Sequence, residues 1–193
     1  MPQSFSLNKK EKFFCVSLAR RSIKYFFDTG GLMPLEEKEI SKKLFEKKAC
    51  FVTLTMKGNL RGCIGHLEAI QPLYIDIIEN AVNAAFRDSR FSPLERTELS
   101  ALKIEVSILT DAIEMKFSSP ADLLKKISAG KDGLILQKRG CSATFLPSVW
   151  EELLTKEEFL SHLCLKAGLS PDEWRLPGVK VFKYGAIKAI ESI

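Results

Sequence analysis

The sequence has few of the side chains from which metal and redox centres are built. Its 193 residues include two histidines, His66 and His162, and five cysteines. The cysteines are odd in number and widely spaced, and no Cys-x-x-Cys pair occurs among them: Cys15, Cys50, Cys63, Cys141 and Cys164. A disulfide framework, a cysteine-rich zinc site and an iron–sulfur cluster all need a different number or spacing of cysteines. The sequence therefore predicts no bound metal and no cofactor.

Long apolar runs are also missing. No stretch approaches the ~20 apolar residues that a membrane-spanning helix requires. Charged side chains at residues 9–12 interrupt the first apolar residues, unlike the uninterrupted apolar core of a secretory signal. We expect a cytoplasmic protein without a membrane partner.

Familiar nucleotide-binding and hydrolase motifs are absent as well. There is no Walker loop and no Gly-x-Gly-x-x-Gly, and neither histidine lies in a nucleophile elbow. The net charge of +5, from 29 basic and 24 acidic residues, is a modest excess. The largest basic cluster, within residues 9–24, lacks the interleaved aromatic side chains on which bases stack. Nucleic-acid binding is therefore the weakest of the functions considered.

What the sequence does contain is an unusual strand at residues 60–65, Leu-Arg-Gly-Cys-Ile-Gly. A β-forming apolar run and a Lys-Gly-Asn turn precede it within residues 49–59, which predicts the return strand of a hairpin. Because strand side chains alternate between faces, Arg61, Cys63 and Gly65 are expected to share one face.

Two interpretations of this strand are open. In the first, the guanidinium of Arg61 stabilises a nucleophilic thiolate at Cys63 and binds a carboxylate or phosphate, while Gly62 and Gly65 allow a ligand to approach closely. In the second, Cys63 is a small buried residue, Arg61 is an ion-pair partner and the glycines accommodate a sharply twisted hairpin. The hexapeptide alone does not decide between them.

A second strand is predicted at Leu102–Leu109, where apolar and polar residues alternate. Its polar face carries Glu105 and Ser107. If this strand neighbours the motif strand, Glu105 is placed to pair with Arg61 or to act as a general base, and Ser107 to line the same cavity.

The turn at residues 88–93 and the histidine after the motif complete the set of candidates. Asp88 and Arg90 are expected to form an ion pair that supports the turn, and the turn to form one wall of a pocket. His66 follows Cys63 by three residues, an odd separation that places the two on opposite faces of a regular strand, so a Cys–His dyad is disfavoured.

Periodicity predicts helices and strands over most of the remaining chain. The predicted helices cover residues 8–28, 37–47, 72–85, 120–127 and 156–167, with another beginning at Pro147. The predicted strands are a second hairpin, residues 134–138 and 141–146, and a final strand over residues 179–190 that pairs with the main sheet.

The motif strand and several other segments also resemble a known family. In chain order they are residues 51–54, 60–65, 88–93, 105–109, 132–135, 145–150 and 166–169. Together they are similar to the signature of the AMMECR domain, called AmmeMemoRadiSam system protein A in prokaryotes, and they span nearly the whole chain. The resemblance implies two subdomains and, in prokaryotes, association with a Memo-like protein and a radical S-adenosylmethionine protein. It implies no particular reaction.

These observations predict an α+β protein: an antiparallel β-sheet flanked by α-helices, in a single AMMECR-like domain over residues 1–193 with two intertwined subdomains. The favoured function is a small enzyme, or enzyme component, that uses Cys63 beside Arg61 on an anionic small molecule. A non-catalytic partner subunit is the alternative, and nucleic-acid binding ranks third. The candidate residues are Cys63 and Glu105 as catalytic groups, Arg61, Gly62, Gly65 and Ser107 as ligand-binding groups, and Asp88 and Arg90 as support.

Overall fold

A computed structural model describes residues 5–35, 38 and 40–191. Within these residues it has four α-helices and two four-stranded antiparallel sheets, which confirms the predicted α+β class. The helices are α1 (Lys9–Thr29), α2 (Leu73–Phe86), α3 (Pro120–Lys126) and α4 (Lys156–Lys166). The strands are β1 (Cys50–Met56), β2 (Asn59–Gly65), β3 (Leu102–Leu109), β4 (Ile113–Met115), β5 (Gly133–Lys138), β6 (Cys141–Phe145), β7 (Lys180–Tyr184) and β8 (Ala186–Ile190).

The chain divides into two compact units, each built around one of the sheets. The first unit comprises Met1–Leu109 and Ile187–Ile193, and the second comprises Thr110–Ala186. Each unit has its own cluster of buried apolar side chains. The second hairpin, β5 and β6, belongs to the second unit.

In the first unit the strand order is β2-β1-β3-β8, so β2, which carries the motif, lies at an edge of its sheet. Helix α1 begins with the predicted capping box between Asn8 and Glu11 and ends at Gly30, whose positive φ of 73° suits glycine. Helices α1 and α2 pack with the sheet to form one core. In α2, Ala81, Ala84 and Ala85 are buried, and their small side chains let the helix approach the strands closely.

The segment at residues 37–47 differs from the prediction. Residues 37 and 39 lie outside the described part of the chain, and the described remainder of the segment holds no α-helix but includes the short 3₁₀ helix Lys42–Phe45. Leu44 is fully buried, as its apolar spacing predicted. The segment cannot extend as a helix because Lys47 already forms a β-bridge with Pro72, and β1 begins three residues later at Cys50.

The second unit has the strand order β4-β7-β5-β6. The turn between β5 and β6 contains Arg139 and Gly140, both with positive φ, as a tight hairpin turn requires. The core is rich in aromatic rings, and Trp150 stacks on Phe159 with ring centroids 3.8 Å apart. The segment expected to be a helix from Pro147 is a 3₁₀ helix, Pro147–Glu151.

The single final strand predicted over residues 179–190 is wrong in one respect. It is two strands, β7 in the second sheet and β8 in the first, so only its last part pairs with the main sheet. Gly185 separates them, because its N–H donates to Oγ1 of Thr110 at 2.8 Å and its carbonyl accepts from the Thr110 N–H at 2.9 Å. These two bonds fix a corner that a regular strand cannot make.

Candidate functional site

Cys63 lies near the middle of β2 and is partly exposed. It is paired across the sheet with Thr53 of β1, and the Thr53 hydroxyl and the Cys63 thiol are 3.3 Å apart, within hydrogen-bonding distance for sulfur. Three other cysteines, Cys15, Cys50 and Cys164, are buried. Burial, as the largest cause, raises the pKa of all three thiols, that of Cys15 to about 12. Such thiols stay protonated and unreactive at neutral pH.

The backbone of Cys63 is held by the turn that follows α2. Its N–H donates to Oδ2 of Asp88 at 2.9 Å, and its carbonyl accepts from Nη2 of Arg90 at 3.1 Å. Asp88 and Arg90 form the ion pair that the sequence predicted, with Nη2 and Oδ2 2.7 Å apart. Because β2 is an edge strand, these two side chains take the place of a neighbouring strand at one residue, and that residue is the cysteine.

Asp88 owes its charge state to this arrangement. The Arg90 guanidinium and the backbone N–H groups of Cys63 and Arg90 hold the pKa of the Asp88 carboxyl far below its usual value. The carboxylate is therefore ionised at any physiological pH. The hydrogen bond to Asp88 is the main cause that raises the pKa of Arg90, and the interaction with Cys63 is a smaller one, so this guanidinium lies within electrostatic range of the thiol.

Arg61, the other predicted cation, is already paired. It is the extra residue of a β-bulge, because the register passes from Leu54–Gly62 directly to Thr55–Leu60. Its Nε and Nη2 donate to the two carboxylate oxygens of Glu98 at 2.8 and 2.9 Å. The pairing raises the pKa of Arg61 and lowers that of Glu98.

The remaining donors of Arg61 bind the backbone of the same turn. Nη1 donates to the Ser92 carbonyl at 2.9 Å and Nη2 approaches the Pro93 carbonyl at 3.4 Å. An open surface cavity of about 410 Å³ adjoins this pair, and its lining also includes Glu95 and Phe91. An anion entering that cavity would meet two carboxylates and a guanidinium whose charge is already balanced.

The two glycines of the motif lie against other parts of the protein. A Cβ atom on Gly62 would lie 2.1 Å from the carbonyl oxygen of Ala84 in α2. A Cβ atom on Gly65 would lie 2.4 Å from both the Cys50 carbonyl oxygen and the ring of Phe51, its cross-strand partner. Both contacts are within the fold, so close packing by itself accounts for glycine at these positions.

Glu105 and Ser107 lie on β3, and β1 separates that strand from β2. The neighbouring position assumed for Glu105 beside Arg61 is therefore not found. Thr53 pairs with Cys63 on one side and with Glu105 on the other, so these three residues form a row across the sheet. Two strand spacings, ~9–10 Å, separate the ends of the row. Glu105 accepts a hydrogen bond from Ser107 Oγ at 2.9 Å.

Lys188 of β8 supplies a cation to the same face. Its Nζ is 3.2 Å from Oε1 of Glu105, and its side chain is 56% exposed. The row Cys63, Thr53, Glu105 therefore ends in a solvent-accessible ammonium group, a residue that the sequence did not indicate as part of the site.

Sequence reasoning also missed a polar cluster at the other end of β2. His66 Nδ1 lies 2.5 Å from Oδ1 of Asp76, and Asn80, one helical turn after Asp76, is fully buried beside them. A signal was present, because Asp76 and Asn80 lie four residues apart on the otherwise apolar face of α2. Polar side chains on a buried helix face require partners.

Neither a metal-ion site nor a membrane-spanning helix occurs among the described residues. No group of three or more histidine, cysteine, aspartate or glutamate side chains in this part of the chain is arranged to hold a metal ion. None of the helices described is both long enough and apolar enough to cross a membrane.

Comparison with known proteins assigns most of the chain to one protein family. A family model described as AMMECR1 matches residues 16–189. The chain is 39% identical over 188 residues to Protein MK0488 of Methanopyrus kandleri, covering 93% of this chain and 88% of that protein. It is 43% identical over 170 residues to Protein Mbar_A1807 of Methanosarcina barkeri, covering 86% and 83%. The crystal structure of the uncharacterized protein PH0010 from Pyrococcus horikoshii is similar, with a TM-score of 0.81 and 37% identity, over 95% of this chain and 93% of that one.

Proposed function

The chain belongs to the AMMECR1 family, and from the geometry around Cys63 we propose that it is a small enzyme, or an enzyme component, that uses Cys63 on an anionic small molecule. The observation that carries the proposal is the way in which Cys63 is held by its neighbours. Its thiol is partly exposed, and its N–H and carbonyl are both bound by one ion pair, Asp88–Arg90. A cysteine that only fills space needs neither exposure nor a charged clamp on its own backbone.

The chemistry assigned to Cys63 is nucleophilic attack or transfer of a group through its sulfur. The Thr53 hydroxyl at 3.3 Å is placed to donate to the thiolate or to accept from the thiol. Arg90 supplies positive charge near the sulfur, and its side chain is 54% exposed, so it remains accessible to an anion. In this arrangement Arg61 supports the wall of the site through Glu98, and Arg90 and Lys188 are the cations that an anionic substrate can reach.

Cysteine alkylation resolved by mass spectrometry tests the proposal. Iodoacetamide is reacted with the native protein over a range of pH, and the modified fraction of each cysteine is followed with time. Cys141 is the internal control, because it is also partly exposed and lies in a different sheet. We expect Cys63 to react at least about tenfold faster than Cys141.

Cys63→Ser then separates a chemical role from a packing role. The variant is expected to unfold at nearly the same urea concentration as the wild type while losing the fast alkylation, and any activity found in a screen of anionic metabolites. A Cys63 that reacts no faster than Cys141, or a Cys63→Ser variant that unfolds, contradicts the proposal.

A non-catalytic subunit is the second candidate. It is favoured because the hydrogen-bond donors of Arg61 are already used within the protein. A guanidinium that donates to Glu98 and two carbonyls leaves little capacity for a substrate anion. In this case the protein docks a partner, for which the family resemblance suggests a Memo-like protein or a radical S-adenosylmethionine protein. Inert cysteines combined with a stable complex between purified proteins would favour this function over the first.

A further inference from the structure

The cluster at the end of β2 is built around one buried carboxylate. The side chain of Asp76 is 1% exposed, and its two oxygens face four donors. Oδ1 lies 2.5 Å from Nδ1 of His66 and 3.0 Å from Nε2 of Gln71. Oδ2 accepts from the N–H of Cys50 at 2.8 Å and from Nδ2 of Asn80 at 3.0 Å.

This geometry fixes the tautomer of His66. Gln71, Cys50 and Asn80 all donate to Asp76, and hydrogen bonds donated to a carboxyl group favour its ionised form, so Asp76 is assigned as a carboxylate. The Nδ1 atom of His66 must therefore carry a hydrogen and donate it. The neutral imidazole then has its lone pair on Nε2.

The free nitrogen is accessible. Nε2 of His66 has no hydrogen-bond partner among the residues that the structure describes, and the side chain is 36% exposed. A histidine that only completed a buried network would be expected to use both ring nitrogens or to lie fully inside. Here one nitrogen is held by a buried carboxylate and the other is left for a molecule from solution.

A second, independent observation indicates that something binds at this place. Asn80 is completely buried, and its Oδ1 atom has no partner among the described residues. In the reversed amide, Oδ1 would lie 3.3 Å from Nδ1 of His66, but it would also face two oxygen atoms, Oδ2 of Asp76 at 3.0 Å and the Cys50 carbonyl at 3.3 Å, so the reversed orientation is disfavoured. A buried acceptor without a donor costs free energy, so a water molecule or a ligand hydroxyl is expected there.

We propose that His66 is a proton acceptor for a bound water or for the hydroxyl of a small molecule, with Asp76 as its positioning residue. In the step, the O–H proton moves to Nε2, the oxygen uses its electron pair to form a bond to the acyl carbon of an ester, and the bond from that carbon to the leaving-group oxygen then breaks. The resulting imidazolium is stabilised by the Asp76 carboxylate, and the proton is afterwards returned to the leaving group. This site is distinct from Cys63, because His66 pairs with α2, which packs on the opposite face of β2.

The tautomer is measured in the wild-type protein by nitrogen-15 NMR of the two histidine rings at pH 8. We expect His66 to be in the Nδ1–H form, and the exposed His162 to show the mixture of forms typical of a free imidazole. The Nε2–H form at His66 would overturn the proposal, and this measurement needs no variant that has to fold.

Proton acceptance is tested with p-nitrophenyl acetate, an ester whose hydrolysis requires a proton to be taken from water. We expect His66→Gln to lower the protein-dependent rate at least about tenfold, since positioned general bases contribute ~10²–10⁴. His162→Gln is the matched control and should retain the rate. Because general-base catalysis moves a proton in the transition state, the wild-type rate should also fall in heavy water, which a purely structural His66 would not cause.

The variants also separate this site from the one at Cys63. A rate that survives His66→Gln overturns the proposal. A rate that is lost only in Cys63→Ser likewise overturns it, and at the same time supports the function assigned to the thiol. If the hydrolysis rate is lost in His66→Gln but retained in Cys63→Ser, the result supports a second reactive site in the same unit.

Discussion

The five cysteines show how strongly position decides what one residue type can do. Cys15, Cys50 and Cys164 are buried, and their thiol pKa values are raised. Cys63 is partly exposed and its backbone is bound by Asp88 and Arg90. The reactivity proposed for it therefore depends on groups that lie 25 residues or more along the chain.

Asp88 provides a pH-dependent prediction at this scale. Its pKa is lower in the folded protein than the ~3.9 of an unfolded chain, so it stabilises the fold at pH above ~4 and loses that effect as the pH falls further. Asp88→Asn should lower the free energy of unfolding by about 1–3 kcal/mol at pH 7, because the donors of Arg90 and Cys63 lose a charged acceptor. The difference from wild type should narrow below about pH 4.

Urea unfolding of both proteins between pH 7 and pH 3 measures that difference. Asp172→Asn is the control, since Asp172 is 73% exposed and its ion pair is with another exposed side chain, that of Arg175. If the difference in unfolding free energy between wild type and Asp88→Asn stays constant down to pH 3, the lowered pKa assigned to Asp88 is wrong.

Substitution of Gly62 tests the close packing of β2 against α2. In Gly62→Ala the new methyl group would meet the Ala84 carbonyl at 2.1 Å, so either β2 or α2 must move. We expect the variant to be destabilised by at least ~1–3 kcal/mol in urea unfolding. Gly31→Ala is the matched control, because its methyl group would have no neighbour nearer than 3.8 Å. Equal unfolding midpoints for the two variants would mean that the close approach is not required.

At the scale of secondary-structure elements, β2 is held to its surroundings by side chains more than by a second neighbouring strand. It pairs only with β1 in the described sheet, and the residues that follow α2 bind its other edge. Asp88 and Arg90 bind it at Cys63, and Glu98 binds it at Arg61. The bulge at Arg61 turns that side chain towards the 3₁₀ helix Arg96–Glu98.

A double-mutant cycle measures the strength of the Arg61–Glu98 ion pair. The pair is bidentate and both side chains are less than a fifth exposed. We expect Arg61→Ala and Glu98→Ala to show a coupling free energy of about 1–3 kcal/mol. The control cycle uses Arg96 and Asp28, about half exposed, for which exposed ion pairs suggest at most ~1 kcal/mol.

The outcome of this cycle bears on the proposed substrate site. A coupling as small as that of the control pair would mean that Arg61 is readily released from Glu98. Arg61 would then be available to bind an anion, as the sequence alone suggested.

Local signals were sufficient to predict most elements. The capping box before α1, the alternation in β3 and the Arg-Gly turn between β5 and β6 all act within a few residues of the chain. The misplaced elements depend on distant partners. The 3₁₀ helix Lys42–Phe45 is limited by the bridge between Lys47 and Pro72, and the break before β8 is made by Thr110.

The candidate site was likewise predictable where its contacts are local and not predictable where they join distant segments. The Asp88–Arg90 ion pair is local and was predicted, whereas strand order is not encoded in any single segment. The sequence therefore could not reveal that β1 separates Cys63 from Glu105, or that Glu98 binds Arg61. The cluster of His66 and Asp76 was missed because it joins the end of a strand to a helix that begins after an intervening loop.

At the scale of the whole molecule, the presence of two cores is the dominant feature. The first unit buries aliphatic side chains between its sheet and α1 and α2, and the second is centred on Phe159, Trp150 and Trp174. Each core consists of side chains of its own unit, so we expect each to control the local stability of its own strands.

Phe159→Ala tests this expectation. Phe159 is fully buried, and its truncation should cost about 3–5 kcal/mol. Hydrogen exchange followed by mass spectrometry should show accelerated exchange mainly in peptides of residues 110–186. Phe13→Ala is the control, because Phe13 is 75% exposed. Equal acceleration throughout the chain would show that the two cores unfold as one.

The order of the units along the chain has a consequence for synthesis on the ribosome. Strands β3 and β8 are neighbours in one sheet, yet all of the second unit is translated between them. Until β8 has been translated, the edge of β3 in the nascent first unit is therefore unpaired, and Arg20 lacks its ion-pair partner Glu191. At ~5–20 residues per second this interval lasts roughly several seconds. During it, an unpaired strand edge is open to other nascent chains, and this exposure ends when β8 pairs with β3.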